Sequence, residues 1–260
     1  MRRSTVIAGL VAAVLVVVTS ACTPPRPARL VVPQPLPLRV GITPDAAPYV
    51  FWDRDHYAGI EVEFAHRLAD ELGRPLALVP VAWDEQIPAL LAGHTDIIMS
   101  GMSITPERAE RVAFGDPYLA TALQGVVRRE DARKYPTPES LLQTSPRIGV
   151  KRGTTGESFV RQRRPDENIV AYRRSHDAIT ELRNYRIDVY VSDAPVIEAA
   201  IADHPGDLVA YPRAVGRQSL AWAFRPADQD LRSAVNAVLA RWRSDGTLRD
   251  VLTNWPHPGE

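Results

Sequence analysis

The chain has 260 residues, with 31 Lys and Arg against 31 Asp and Glu, 45% hydrophobic residues and a single cysteine. That length allows one or two domains, and the apolar content is ample for real cores. The balanced charge gives no reason to expect nucleic-acid binding, and one cysteine excludes an intramolecular disulfide.

The first residues read as a leader rather than as part of a fold. Arg2 and Arg3 form a positive start, and residues 6–18 are an apolar run too short and too early for a convincing membrane span. Thr19, Ser20 and Ala21 end the run with small side chains immediately before Cys22. That pattern resembles a bacterial lipoprotein signal, in which residues 1–21 are removed and Cys22 is lipidated. Simple secretory cleavage and an uncleaved anchor are the alternatives. Losing Arg2 and Arg3 would leave a slight acidic excess. Residues 23–37 carry six prolines and little apolar periodicity, so 22–37 reads as an extended tether.

Residues 38–42 read as a first strand, followed by a Pro-containing loop over 43–51 with Tyr49, Phe51 and Trp52 in or beside it. The spacing then predicts a helix over 61–72: Val62, Ala65, Leu68, Ala69 and Leu72 share one face, and Gly73 is a natural C-cap. A strand is expected over 75–81, with Asp84 placed to cap a helix that reaches Leu91. Residues 96–99 form a short apolar strand between Gly93 and Gly101. Thr105 then stands at an N-cap position and Pro106 at the first helical position, where its missing N–H is no loss. Backbone donors therefore collect beside Ser100, Gly101 and Ser103, with Arg108 one helical turn on. Such parts can hold a carboxylate; a strand–turn–helix with a surface Arg is the plainer alternative.

A second unit begins near 147–150 and echoes the first. Residues 87–90 precede 96–101 at the same offset at which 179–182 precede 188–193. Both read helix, tight turn, strand, then a polar residue at the strand's carboxyl end, where α/β sheets collect ligands. A helix is expected over 157–162 and another over 196–202, with strands at 208–211 and 219–224. Residues 231–243 predict a long helix with Leu231, Val235, Val238, Leu239 and Trp242 on one face. Asp245-Gly246-Thr247 stops it, and a short last helix ends at Trp255. The alternation argues for α/β lobes with mostly parallel sheets.

Several segments occur in order over residues 38–255. They include Pro48-Tyr49, Gly59-Ile60-Glu61-Val62, Ser100-Gly101-Met102-Ser103-Ile104-Thr105-Pro106-Glu107-Arg108 and Phe114-Gly115-Asp116-Pro117-Tyr118. Gly149-Val150-Lys151-Arg152-Gly153-Thr154-Thr155-Gly156, residues 188–195 and Asp245-Gly246-Thr247 with Trp255 continue the set. Together they resemble the bacterial extracellular solute-binding proteins of the polar amino-acid uptake family. The resemblance implies a two-lobed periplasmic-binding-protein-like fold of class α/β, two sheet-and-helix lobes joined by a two-strand hinge. Lobe one would be 38–121 with 219–260, lobe two 122–218, and the crossing segments 118–126 and 214–220. It also implies a monomeric extracytoplasmic binding lipoprotein of an ABC importer, held at the outer face of the bacterial cell membrane by a lipid on Cys22. Its partners would be an amino-acid ligand and the importer's permease subunits, with no cofactor, metal, nucleic acid or catalytic residue.

Carried residue by residue, the resemblance gives Arg108 the ligand carboxylate, with Ser103 adding a donor and the Thr154-Thr155 loop reaching across the cleft. Asp193 and the Gly101 carbonyl would take the ammonium, and Trp83 would lie over the ligand side chain. Plainer roles exist for each: an N-cap at Asp193, a simple Gly/Thr turn at 153–156, partly buried core at Trp83. Thr43 and Ala46 stand where relatives commonly carry an acid and an aromatic. The missing acid argues against a Lys or Arg ligand, and Lys151, unless simply solvated, can face a polar or acidic ligand side chain. The expected ligand is a polar amino acid, with glutamine or glutamate favoured.

The main rival is a cyclohexadienyl dehydratase-like enzyme on the same fold. Lys151, Glu157 and His176 would be its candidate acids, but no spacing marks a general acid. The six histidines are scattered without a close pair for a metal. No nucleophile elbow, P-loop or dinucleotide fingerprint occurs. The basic stretch 161–164 with Arg173 and Arg174 reads as a solvated face, a permease-docking surface being the alternative.

Overall fold

The computed structural model describes residues 35–135, 145–164, 168–211 and 215–255. The leader, Cys22 and most of the Pro-rich stretch lie outside them. In chain order the first elements are β1 (Leu38–Ile42), the β2–β3 hairpin (Phe51–Asp53, His56–Ala58), α1 (Ile60–Glu71) and β4 (Leu76–Pro80). They continue with α2 (Gln86–Leu91), β5 (Ile97–Ile98), α3 (Pro106–Ala109), β6 (Ala113–Phe114) and β7 (Leu119–Arg128). Then come β8 (Ile148–Lys151), α4 (Thr155–Arg163), β9 (Ile169–Tyr172), α5 (Ser175–Arg183), β10 (Val189–Asp193) and α6 (Ala194–Asp203). The last are β11 (Leu208–Ala210), β12 (Val215–Leu220), β13 (Ala223–Phe224), α7 (Gln229–Asp245) and α8 (Thr247–Asn254).

Two sheets organise these elements, each with its own helices. One has the order β4-β1-β5-β13-β6, parallel at β4-β1-β5 and antiparallel where β13 joins. The other runs β11-β7-β10-β8-β9, with β12 paired to β7. It is parallel at β10-β8-β9 and antiparallel wherever β7 pairs, so the sheets are mixed rather than mostly parallel. The amphipathic stripes account for the first lobe's packing. Helix α1 buries Val62, Ala65, Leu68 and Ala69, and α7 buries Val235, Val238, Leu239 and Trp242. Phe64 stacks on Trp242 at 5.7 Å and meets Trp222 edge-on at 5.5 Å, tying both helices to the sheet. Gly246, at φ +92°, ends α7 in the left-handed region and starts α8, as a glycine C-cap does.

Three expected elements differ. Asp84 makes no side-chain cap; a 3-10 turn, Trp83–Glu85, leads into α2 instead. The strand expected over 96–99 narrows to Ile97–Ile98. The single apolar run 219–224 divides at Ala221 and Trp222, whose backbones bond to Met102 O and Gly115 N. Its two halves thereby enter different sheets: β12 pairs with β7, and β13 with β5 and β6.

The internal echo has a physical counterpart at the base of each sheet. Asp96 accepts Arg39 N at 3.0 Å and Arg39 Nη2 at 2.6 Å. Asp188 accepts Arg147 N at 2.9 Å and Arg147 Nη2 at 2.8 Å. Burial pushes both carboxyls up, but the arginine bonds outweigh it and hold them below the usual range. Each clasp locks the entry of one parallel strand against the next, and leaves the carboxyl ends of the strands for other work.

Candidate functional site

Those carboxyl ends face a shared cavity of about 40 Å³. Trp83, Gly101, Ser103, Arg108, Lys151, Thr154, Thr155 and Asp193 all line it. Trp83, Gly101, Ser103 and Arg108 come from around the first sheet, and the other four from the second.

Arg108 is positioned from its own short helix. The Thr105 hydroxyl caps Arg108 N at 3.2 Å, and Pro106 opens α3. The guanidinium donates to Ser103 O at 2.8 Å and to Gly153 O at 3.1 Å, and its Cζ lies 5.2 Å from the Trp83 ring centre. Burial pushes its pKa down, with Asp193 and Glu107 opposing. Trp83 donates its indole N–H to Gly153 O at 2.9 Å. Its ring also lies 5.2 Å from Lys151 Nζ, so cations approach it from two residues.

Asp193 occupies the N-cap position of α6 but makes no side-chain cap bond. Its Oδ1 instead accepts Gln218 Nε2 at 2.8 Å. Burial pushes this carboxyl up to about 6, against the pull of Gln218, Arg108 and Lys151. Among the described residues neither Arg108 nor Asp193 belongs to an ion pair. Among the described residues that line the cavity, they are therefore the cation and the acid left outside ion pairs, presented from opposite sheets.

Lys151 is not a solvated lysine. It is 5% exposed and its Nζ pairs with Asp45 at 2.5 Å. Thr154 caps α4 through Glu157 N at 3.3 Å. Thr155 donates its hydroxyl to Gln218 Oε1 at 2.6 Å. The first amides of α4 are donors without helical acceptors, as at any helix start. Ser103 donates to the same Gln218 oxygen at 2.8 Å.

Glu61 shapes the cavity from below. Fully buried, it accepts Gly101 N at 2.6 Å, the Tyr118 hydroxyl at 2.6 Å and Trp222 Nε1 at 2.8 Å. Burial raises its pKa while these three donors pull it back. Gly101 itself needs to be glycine: its φ is +66°, and a Cβ there would sit 2.7 Å from the Tyr49 ring.

Three residues of this arrangement carried no site signal in the sequence. Gln218 is one polar residue at the edge of an apolar run. Asp45 meets a lysine 106 positions away. Glu61 reads as an acid that favours a helix start, not as a buried acceptor. Of the candidate acids for the rival chemistry, Glu157 bonds Gly153 N and Arg161, and the His176 side chain is 82% exposed. Among the described residues no cluster of ligands suits a metal ion, and no helix is long and apolar enough to cross a membrane.

Two sheet-and-helix lobes with a polar, charge-balanced cleft define the class of two-lobed periplasmic-type binding proteins. Within that class the chain belongs to the bacterial extracellular solute-binding proteins, family 3, whose model matches residues 38–258. It is 29% identical over 219 residues to an L-cystine-binding protein of Escherichia coli K12, covering 84% of this chain and 82% of that one. It is 27% identical over 221 residues to a cyclohexadienyl dehydratase of Pseudomonas aeruginosa, covering 84% and 82%. Among solved structures it matches an ancestral amino acid-binding protein described as a precursor of cyclohexadienyl dehydratase. That match has a TM-score of 0.79 and 35% identity, over 84% of this chain and 94% of that one.

Proposed function

We propose that this chain is the extracytoplasmic substrate-binding lipoprotein of an ATP-driven importer, and that it captures a polar amino acid, glutamine- or glutamate-like, between two closing lobes. The observation that carries this reading is the pair of unneutralised charges, Arg108 and Asp193, facing one cavity from opposite sheets. An α-amino acid is the complement of that pair, with a carboxylate and an ammonium a few ångströms apart. Arg108 takes the carboxylate, with Ser103 and the amides of the Thr154-Thr155 turn as further donors. Asp193 takes the ammonium. The Gly101 amide is committed to Glu61, so Gly101 contributes its carbonyl to the same ammonium. Trp83 and Lys151 face the ligand side chain.

The lobes we assign are 38–121 with 219–260, and 122–218. Residues 1–21 are a signal peptide, Cys22 carries the lipid, and 22–37 is the tether to the membrane. Opening and closing occur by bending at the β7–β12 ribbon, a hinge motion about a bound ligand. The permease reads the closed form of a monomer, and no cofactor takes part. Micromolar affinity requires about 8 kcal/mol net, to which two charge-assisted contacts in a desolvated cleft and stacking on Trp83 contribute together.

The alternative is a dehydratase-like enzyme, favoured by the Pseudomonas aeruginosa relative. It needs a proton donor at a leaving hydroxyl. Of its candidate acids only Lys151 lines the cavity, and Lys151 is engaged by Asp45. A calorimetric panel of amino acids, run beside an ultraviolet assay for aromatisation of cyclohexadienyl substrates, separates the readings. Saturable binding of one amino acid without turnover supports the binder, and turnover of a cyclohexadienyl substrate overturns it.

A further inference from the structure

The ribbon that joins the lobes has a second face, turned away from the cavity. Gln218 points its amide inward, to Asp193, Ser103 and Thr155. Its neighbours Arg217 and Ser219 therefore stand on the opposite face, because strand side chains alternate. They pair across the ribbon with Ala122 and Ala120 of β7. These four residues floor a hollow of about 810 Å³, flanked by Ile104 and Ala194. Ile104 is 37% exposed and is held at the rim by its N–H, which donates to Ser219 O at 2.8 Å. Arg217 is the only charged residue among the described residues that line this hollow. It also lines a second hollow, of about 550 Å³, bounded by α3 and α4. Among the described residues its guanidinium has no ion pair and no hydrogen-bond partner.

We propose that this outer face is a second binding site, for a small organic anion with a compact apolar body, and that its occupant favours the closed lobes. An unpartnered arginine beside a floor of alanine methyls complements both halves of such a ligand. The guanidinium fork takes a carboxylate or sulfonate through two parallel bonds. The methyls of Ala120, Ala122 and Ala194, with the Ile104 side chain, take the apolar body out of water. The same charge repels a cation, and a bare inorganic anion leaves the apolar walls wet. The effect on closure rests on the hinge motion assigned above. Ile104 goes with the first lobe and Ala194 with the second, so one occupant touches both. The cavity and the hollow lie on opposite faces of the ribbon. Bending that opens the cavity on one face narrows the hollow on the other. An anion seated in the hollow therefore resists opening and tightens the hold on the amino acid, and linkage makes the effect reciprocal.

The test titrates isotope-labelled protein with hexanoate, hexylammonium and sulfate, followed in amide correlation spectra. Hexanoate should shift the amides of Ile104, Ala122 and Ala194 saturably, and bind at least about tenfold more tightly than the other two. Arg217→Ala should weaken hexanoate at least about tenfold, and Arg217→Glu should invert its ranking against hexylammonium. Circular dichroism melts verify that both variants are folded, and either one alone is decisive. No saturable shift, an equal response to all three probes, or shifts confined to the cavity around Arg108 and Asp193 overturns the site. Calorimetry then reads the coupling: saturating hexanoate should tighten glutamine binding about threefold or more in the wild type and not in Arg217→Ala. Hexanoate that binds without tightening glutamine overturns the effect on closure and keeps the site. If glutamine does not bind, the amino-acid reading loses its favoured ligand while the spectra still decide the site. Small-angle scattering then decides closure, and a radius of gyration unchanged by hexanoate overturns it.

Discussion

Gln218 donates its amide N–H to Asp193 Oδ1 at 2.8 Å, from a strand that belongs to the ribbon between the lobes. The oxygen of the same amide accepts hydroxyls from Ser103 and Thr155, one from the neighbourhood of each sheet. Gln218 is therefore the common partner of three cavity residues. Gln218→Ala should weaken amino-acid binding about tenfold at pH 7, the scale of one lost charge-assisted hydrogen bond. Gln218→Glu should cost more, because it sets a like charge against Asp193. Calorimetry on both variants checks this, and equal wild-type affinity in both would reduce Gln218 to scaffold.

The role proposed for Asp193 predicts that binding depends on pH. Its carboxyl titrates near 6 in the folded protein, against about 3.9 in an unfolded chain. The folded state thus holds the proton more tightly, and its advantage is full below about pH 3.9 and lost as pH rises through 6. Unliganded stability should fall across that window, by on the order of 3 kcal/mol from this group. An ammonium reverses the sense: it needs the carboxylate, so affinity should rise with pH up to about 6 and then level off. Asp45 and Glu61 are also raised by burial and add to the stability trend. The difference between wild type and Asp193→Asn isolates the one group, in melts from pH 4 to 7 and titrations from pH 5 to 8. A wild-type affinity flat across pH 5 to 7 would contradict the assignment.

Arg108→Ala removes the only cavity cation outside an ion pair among the described residues. Binding should weaken at least about 100-fold, the loss of a charge-assisted pair on the order of 3 kcal/mol. The melting temperature should move little, since the guanidinium's protein partners are two backbone carbonyls near the cleft. Arg108→Lys should recover only part of the affinity, because a point charge lacks the fork. Full affinity in Arg108→Ala would remove the carboxylate site from this place.

Glu61→Gln tests a positioning role. A glutamine replaces one acceptor oxygen by an N–H2, so either Trp222 Nε1 or the Gly101 and Tyr118 donors lose their partner. An unsatisfied buried donor costs about 1–3 kcal/mol, and a chain of this size loses roughly 2–4 °C per kcal/mol. Because Gly101 is one of the donors, ligand affinity should fall as well. In Glu61→Gln with Trp222→Phe the clash is absent, and the double variant should be more stable than the two single losses added together. A lower melting temperature with unchanged affinity would confine Glu61 to the core.

The periodic elements were readable because their signal is local. Helices α1 and α7 follow from apolar faces and glycine stops, and α3 from Thr105 with Pro106. The eight expected cavity residues sit on strand ends and helix starts, which the alternation of elements already marks, and the structure brings them to one cavity. What local signal could not carry is pairing across long separations. Asp45 looks like a loop acid until Lys151 arrives, and Gln218 like a strand-edge polar residue until Ser103, Thr155 and Asp193 surround it. The division of 219–224 between two sheets has the same origin: an apolar run says that it is buried, not against what. Asp193 shows a local rule overruled, since its backbone takes the N-cap position while its carboxylate turns to Gln218.

The ribbon of β7 and β12 has a consequence for engineering. The two strands run antiparallel from Leu119 opposite Leu220 to Leu123 opposite Val215, so the chain enters and leaves the second sheet through one doorway. Everything between is a cassette whose two ends are already neighbours. Transplanting that cassette from a relative would exchange Lys151, Thr155 and Asp193 at a stroke while keeping Arg108 and Trp83. Half of the cavity's lining can therefore be traded without touching the frame that receives it.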